Sequence, residues 1–296
     1  MHKLTHIFEG NLDGKPLDEI LYLVAKLCPA MDCALLRQVD TDITLLFSGA
    51  AANLPKRTLP YHNLRHSQMV VLATARLFHG LHCKHIHVQA DTLFKGLLAA
   101  YFHDTGMLPQ EGDGEDAKRR YMAEHESRSI VLLKHYAAKK GFAADVFLDC
   151  ATIIRYTDLT SDPATFAYHS HEIQLAGQIV GSADILAQMA DRYYLECLPL
   201  LFGEQQAGGI NRHKTARELI EHTEKFYQNV ILKRLASTFS NTSQAMQAHF
   251  RERYQLDRNL YLENITKNIN YLKKIIADCD ETDCLDKRLK RNPPPT

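Results

Sequence analysis

Apolar residues in this chain recur at intervals of three and four far more often than at two, and that periodicity constrains the fold more than any other feature. The segments 17–28, 66–79, 91–102, 121–137, 143–156, 171–190, 214–236 and 259–277 each read as an amphipathic or buried helix. Alternating β-branched runs are scarce. The best strand candidate is 42–48, whose Leu45-Leu46-Phe47 suits a helix as well. An all-α architecture is therefore expected. Breaks fall at Gly49 to Tyr61, with Pro55 and Pro60, at Pro109 to Asp116, at Thr160 to Phe166, and at Gln205 to Asn211. None is long or simple enough in composition to read as a domain linker, and no internal repeat stands out. The expected organisation is one helical domain: a lead-in over 1–58, a core over 59–205, and a C-terminal helical layer over 206–296.

Composition narrows the partners. The 35 basic and 35 acidic side chains cancel, so no broad attraction to a nucleic-acid polymer or an acidic membrane is expected. No window holds the roughly 18 consecutive apolar residues of a membrane span. The opening Met1-His2-Lys3-Leu4-Thr5-His6 lacks the apolar stretch of a secretion signal. Seven cysteines, an odd number in a chain of this size, fit a reduced compartment, and a cytoplasmic location is expected. Cys28/Cys33 and Cys279/Cys284 do not have zinc-knuckle spacing and read as small apolar fillers or surface thiols. The basic run Lys287, Arg288, Lys290 and Arg291 before Pro293 reads as a frayed tail.

The unusual count is sixteen histidines. Histidine ligates transition metals and moves protons near neutral pH, so their placement matters. In Tyr61-His62-Asn63-Leu64-Arg65-His66, directly after a proline-marked break, a helix begun by residue 62 puts His62 and His66 one turn apart on one face. One imidazole can then ligate while the other serves as acid or base; the alternative is a polar helix start with two solvated histidines. His103-Asp104 closes the apolar run Gly96 to Phe102, where a buried histidine and carboxylate need a partner for their charge. The alternative there is an aspartate capping the next helix. Asp184 lies in an apolar helix with no basic residue three or four positions away, so a metal ion or a distant base is the expected remedy. Asp191 has Arg192 beside it and reads as structural. Two nitrogens and two carboxylates in this set suit zinc, manganese, iron or nickel.

The order His66, His103-Asp104, Asp184 resembles the metal-binding signature of the HD superfamily of metal-dependent phosphohydrolases. Tyr61-His62-Asn63 with His66 resembles the helix opening of the cyclic-nucleotide phosphodiesterase catalytic domain. The run Ile153 to Leu159 resembles that group's Thr-Asp segment, and Ala183-Asp184 its last metal aspartate. The likeness covers about residues 60–235. It implies a single all-α domain of the HD/phosphodiesterase type with the metal site at its centre. By position, His66, His103, Asp104 and Asp184 would hold a first divalent ion (Zn, Mn, Mg, Fe or Ni), with Asp104 bridging to a second. His62 would be the general acid, and Thr157 and Asp158 would support the ligands from behind. His125, in Glu124-His125-Glu126, resembles the extra histidine with which other HD branches hold a second metal; the alternative is a solvated histidine on a charged helix face.

The resemblance implies hydrolysis of a small-molecule phosphodiester, a nucleotide or cyclic nucleotide among the candidates, by metal-activated hydroxide with a histidine acid. Two departures bear on substrate. His222 to Gln228 does not reproduce the glutamine-then-phenylalanine order that fixes a purine in animal phosphodiesterases, and the Gly-Tyr-Pro element of the cyclic-di-GMP hydrolases is missing. Rival readings are a nucleotide phosphomonoesterase, a non-hydrolytic nucleotide-sensing module, and an iron oxygenase with further histidine ligands. Helices after 240 fit either completion of the core or a homodimer interface. His79, His82, His85 and His87 read as a surface loop cluster, His169 and His171 as loop residues, and Glu111 to Asp116 as a solvated connection.

Overall fold

Polar side chains at helix starts and apolar stripes along helix faces set most of the elements. In a computed structural model that describes residues 16–50, 59–109, 113, 121–210, 212–279 and 282–289, every regular element is helical and no strand occurs among the described residues. The helices are α1 (Pro16–Leu27), α2 (Cys33–Phe47), α3 (Leu64–Cys83), α4 (Ala90–Phe102), α5 (Tyr121–Lys140), α6 (Ala144–Ile154), α7 (His171–Met189), α8 (Tyr194–Ala207), α9 (Ala216–Phe226), α10 (Ala245–Tyr254), α11 (Leu260–Asp278) and α12 (Thr282–Leu289).

The strand candidate 42–48 lies inside α2. Asp32 caps that helix by accepting the Ala34 N–H, and Leu36, Val39 and Ile43 repeat at helical spacing into the core. Helices α8 and α10 were not legible from periodicity. α8 buries only Tyr194, Leu195, Leu198 and Glu204 and carries Pro199, while α10 is short with its apolar residues spread round it. The segment read as one helix over 214–236 is α9 followed by two π-helical stretches, Tyr227–Ile231 and Arg234–Thr238.

α3 is the central helix. Fourteen of its residues are buried, and it packs on α1, α4, α7 and α10 at once. α4 and α7 are apolar on most sides and are covered in turn by α6. One large apolar core runs from Ile20 to Leu289, and the C-terminal layer joins it through Phe239, Phe250, Tyr261 and Leu272. At Asp191 the ion-pair partner is Arg65, across the fold. No described helix is long and apolar enough to cross a membrane.

Cys279 and Cys284 correct the expectation of free thiols. Cys279 leaves α11 in extended backbone, which brings the two Cα atoms to 5.5 Å, and the sulfurs form a disulfide. Cys28, Cys33, Cys83, Cys150 and Cys197 are free. Of the run read as a frayed tail, Lys287 and Arg288 instead form the last turn of α12, where Arg288 pairs with Asp278 at 2.7 Å, while Lys290, Arg291 and the prolines lie outside the described residues, as does most of Glu111 to Asp116; Asp113 accepts hydrogen bonds from Arg128 and Tyr121.

Candidate metal centre

The start of α3 positions the first ligand. Asn63 caps the helix, its side-chain oxygen accepting the His66 N–H at 3.1 Å, so His66 stands in the first turn. The helix therefore begins at Leu64, not by residue 62, because Asn63 takes the extended backbone of a cap. His62 precedes the helix, yet its ring centroid lies 6.1 Å from that of His66.

The end of α4 positions the next two. His103 Nδ1 lies 2.8 Å from the Ala100 carbonyl and donates to it, leaving Nε2 as the bare nitrogen. Asp104 leaves helical geometry and makes no capping bond, which removes the capping alternative. Its Oδ2 approaches His103 Nε2 at 3.1 Å and His66 Nε2 at 3.3 Å. From α7, Asp184 Oδ1 comes within 3.2 Å of His66 Nε2 and 3.6 Å of His103 Nε2. His66, His103 and Asp104 have donor atoms that all lie within 4.8 Å of one another. His103 Nε2 and Asp104 Oδ2 are buried and neither has a hydrogen-bond partner. Unpaired buried atoms of this kind are costly, and here the lone pairs of an imidazole and a carboxylate are left for a cation.

The electrostatics agree. Burial opposes protonation of His66, but Asp104 and Asp184 overcome it and hold its pKa at about 9. Burial likewise opposes protonation of His103, and the same carboxylates again prevail and raise it well above the usual value. Burial would raise the Asp104 carboxyl, but His103 and His62 hold it well below the ordinary range; Asp184 is held low against its own burial by His103 and His66. The pocket attracts positive charge, whether protons or a metal that displaces them.

Residues of α5 fix the turn that carries Asp104. Ser129 Oγ accepts the Gly106 N–H at 2.8 Å and donates to the His103 carbonyl at 2.6 Å. Arg128 donates to the carbonyls of Gly106 and Leu108. Residue 106 must be glycine for this approach, since a Cβ there would sit 2.0 Å from the His125 carbonyl oxygen. His125 is thereby brought to the site: its Nδ1 lies 2.9 Å from the Met122 carbonyl, and its Nε2 lies 3.6 Å from Asp104 Oδ1 and 3.1 Å from Glu126. Burial pushes the Glu126 carboxyl up. On the other side, His62 Nδ1 lies 2.6 Å from Glu204 Oε2, while Glu204 Oε1 accepts the Tyr61 N–H at 2.9 Å.

Residues 43–262 match the Npun_R2479-like family. The chain belongs to that family. Every residue of the cluster falls within the matched span. No curated protein matches the chain.

Other expected positions lie elsewhere or do local work. Thr157 donates its hydroxyl to the Ile154 carbonyl. Asp158 accepts from the Thr160 N–H and hydroxyl at 2.7 Å each and from the Ser161 hydroxyl, so its hydrogen bonds serve its own turn. His169 pairs with Asp149 at 2.7 Å, and His171 is exposed at the start of α7. His79 and His82 belong to the last turns of α3, correcting the loop assignment; His79 is buried.

Glu204, Glu126 and Ser129 were not found from sequence. Both glutamates share with Asp184 the absence of a base one turn away, but neither lies in a helix buried enough to make that absence a signal. Positions three and four away from Glu204 are Leu200, Leu201, Ala207 and Gly208, and those from Glu126 are Met122, Ala123, Ser129 and Ile130, none of them basic. Ser129 carries no such signal.

Proposed function

We propose that this protein is a metal-dependent phosphohydrolase of the HD type that cleaves a small phosphodiester, with a nucleotide or cyclic nucleotide as the favoured class. The observation that carries the reading is the buried, unpartnered pair His103 Nε2 and Asp104 Oδ2, joined by His66 and Asp184 and flanked by a histidine held by a glutamate. His66, His103, Asp104 and Asp184 would hold one divalent cation, with Asp104 and His125 available to a second. A bound divalent cation supplies charge neutralisation at phosphoryl oxygens and lowers the pKa of its water to near neutrality.

The chain's own residues supply the rest. The Ala100 carbonyl fixes the His103 tautomer, and the Met122 carbonyl does the same for His125. Glu204 holds His62 by Nδ1 and so leaves Nε2 to carry a proton to the departing ester oxygen. Tyr61 stacks on His66, with 6.4 Å between ring centroids.

The deciding experiment measures hydrolysis of an aryl phosphodiester by wild type and Asp104→Ala, each stripped of metal and reloaded with manganese. Turnover by wild type alone is expected. Equal turnover by both, or none by wild type across a panel of mono- and diesters, overturns the reading.

A further inference from the structure

A turn at the far end of α3 from His66 brings two imidazoles together at the protein surface. The helix ends at Cys83, and three backbone hydrogen bonds close it: the Lys84 and Ile86 N–H groups donate to the Leu81 carbonyl, and the His85 N–H donates to the His82 carbonyl. His85 takes the left-handed backbone that this closure requires, at φ 62°, where glycine is the usual residue. The reversal carries the chain back over the last turn of the helix, and His87 Nδ1 comes to 3.0 Å from His82 Nδ1. The rings cross edge to face with centroids 4.5 Å apart, His87 exposed and His82 partly so.

Two facing ring nitrogens at this distance have two explanations. One is a hydrogen bond from one Nδ1 to the other, which between groups that water reaches only replaces a bond to water and contributes little. The other is chelation. Metal–imidazole bonds of about 2.0–2.1 Å at a right angle place the nitrogens about 2.8–3.0 Å apart, whereas a tetrahedral angle places them about 3.3–3.4 Å apart. The observed 3.0 Å fits the right-angled edge, which belongs to the square-planar and tetragonal complexes that copper(II) and nickel(II) form with nitrogen and oxygen ligands. The local charges suit a cation. Burial and the neighbouring imidazoles of His87 and His85 lower the His82 pKa, which favours its neutral, ligating form, and no lysine or arginine of the described residues adds repulsion at that ring.

We propose that His82 and His87 form a bidentate surface site for a dication of the copper(II) and nickel(II) class, ligated through the two Nδ1 atoms with water in the remaining positions. Each imidazole ligates in its neutral form, with its proton on Nε2. The ion clips the residues that follow α3 to the last turn of that helix. Its donors are two imidazoles without a carboxylate, unlike the His66 centre, and water completes the shell because the pair lies at the surface. The site stands whether or not the protein is a phosphohydrolase.

The test reads each histidine separately and involves neither turnover nor the His66 centre. Metal-free, tag-free, full-length protein is treated with diethyl pyrocarbonate over a nickel(II) titration, and the labelling of every histidine is mapped by mass spectrometry. Nickel is expected to protect His82 and His87 together, with one midpoint, and a chelator to restore both. The exposed His135 serves as the control and should label equally throughout. In His87→Ala, protection of His82 should need about 100-fold more nickel or more, because one of two linked donors is gone. His82 and His87 labelled equally with and without nickel, protection of only one of them, or an unchanged His82 midpoint in His87→Ala overturns the proposal.

Discussion

His62 and Glu204 meet at 2.6 Å although 142 residues separate them, and both side chains are buried beside the His66 cluster. A carboxylate on Nδ1 fixes the tautomer and leaves Nε2 out of that contact, which is what the proposed general acid needs. Glu204→Gln is expected to leave metal content unchanged and to slow alkyl phosphodiesters more than aryl ones. The loss should fall below the ~100- to 10,000-fold cost of removing an acid altogether. A leaving-group series on Glu204→Gln and His62→Ala is the measurement; parallel slopes in wild type and both variants would contradict the acid role.

Asp104 touches both His66 and His103 with one oxygen, as Asp184 also does, and faces His125 with its other oxygen. Asp104→Asn is expected to lose bound metal at the His66 centre. Ligand linkage gives the physical size of the effect: at 100 times Kd, a metal that binds only the folded chain adds about 2.7 kcal/mol of stability. Wild type should show a manganese-dependent rise in Tm, and Asp104→Asn none. A rise of the same size in the variant would remove Asp104 from the ligand set.

The helical class was legible from a period near 3.6, Asp184 from a charge with no base one turn away, and His103-Asp104 from their place at the end of an apolar run, whereas His66 was read from a one-turn spacing to His62 that the helix start at Leu64 does not keep. His62 was legible as a candidate for the wrong reason, since Asn63 caps the helix after it and the two rings meet through a bend in the chain. Glu204 left the same mark as Asp184, but its helix buries too few residues to announce itself. Ser129 and Gly106 were illegible because their work is a contact between a turn and a helix 23 residues on, which no periodicity records. The disulfide depended on the exit angle of Cys279 from its helix, and spacing alone does not specify it.

Ser129 satisfies two backbone groups that flank Asp104, the Gly106 N–H and the His103 carbonyl. Ser129→Ala leaves both buried without that partner and is expected to cost about 1–3 kcal/mol in urea unfolding. Gly106→Ala should be worse for the site, because its Cβ would collide with backbone at His125 and Ser129. It is expected to weaken metal binding as well as stability. Metal affinity within twofold of wild type in a folded Gly106→Ala variant would show that the close approach of α5 does not shape the centre.

Asp158 separates a structural role from a metal-supporting one. Burial alone would raise its pKa, but hydrogen bonds from Ser161 and Thr160 win and hold it below the usual carboxylate value. A carboxyl whose folded pKa is depressed stabilises the fold above its unfolded pKa, about 3.9, and that contribution is lost as pH falls through the folded value. Asp158→Asn is therefore expected to lower stability at pH 7 and to flatten the acid limb of the stability profile below about pH 4. Metal content and the leaving-group dependence of turnover should stay as in wild type, because every hydrogen bond to this carboxylate comes from its own turn. Loss of metal in a stably folded Asp158→Asn variant would show instead that the charge reaches the centre through Glu126, on which it acts.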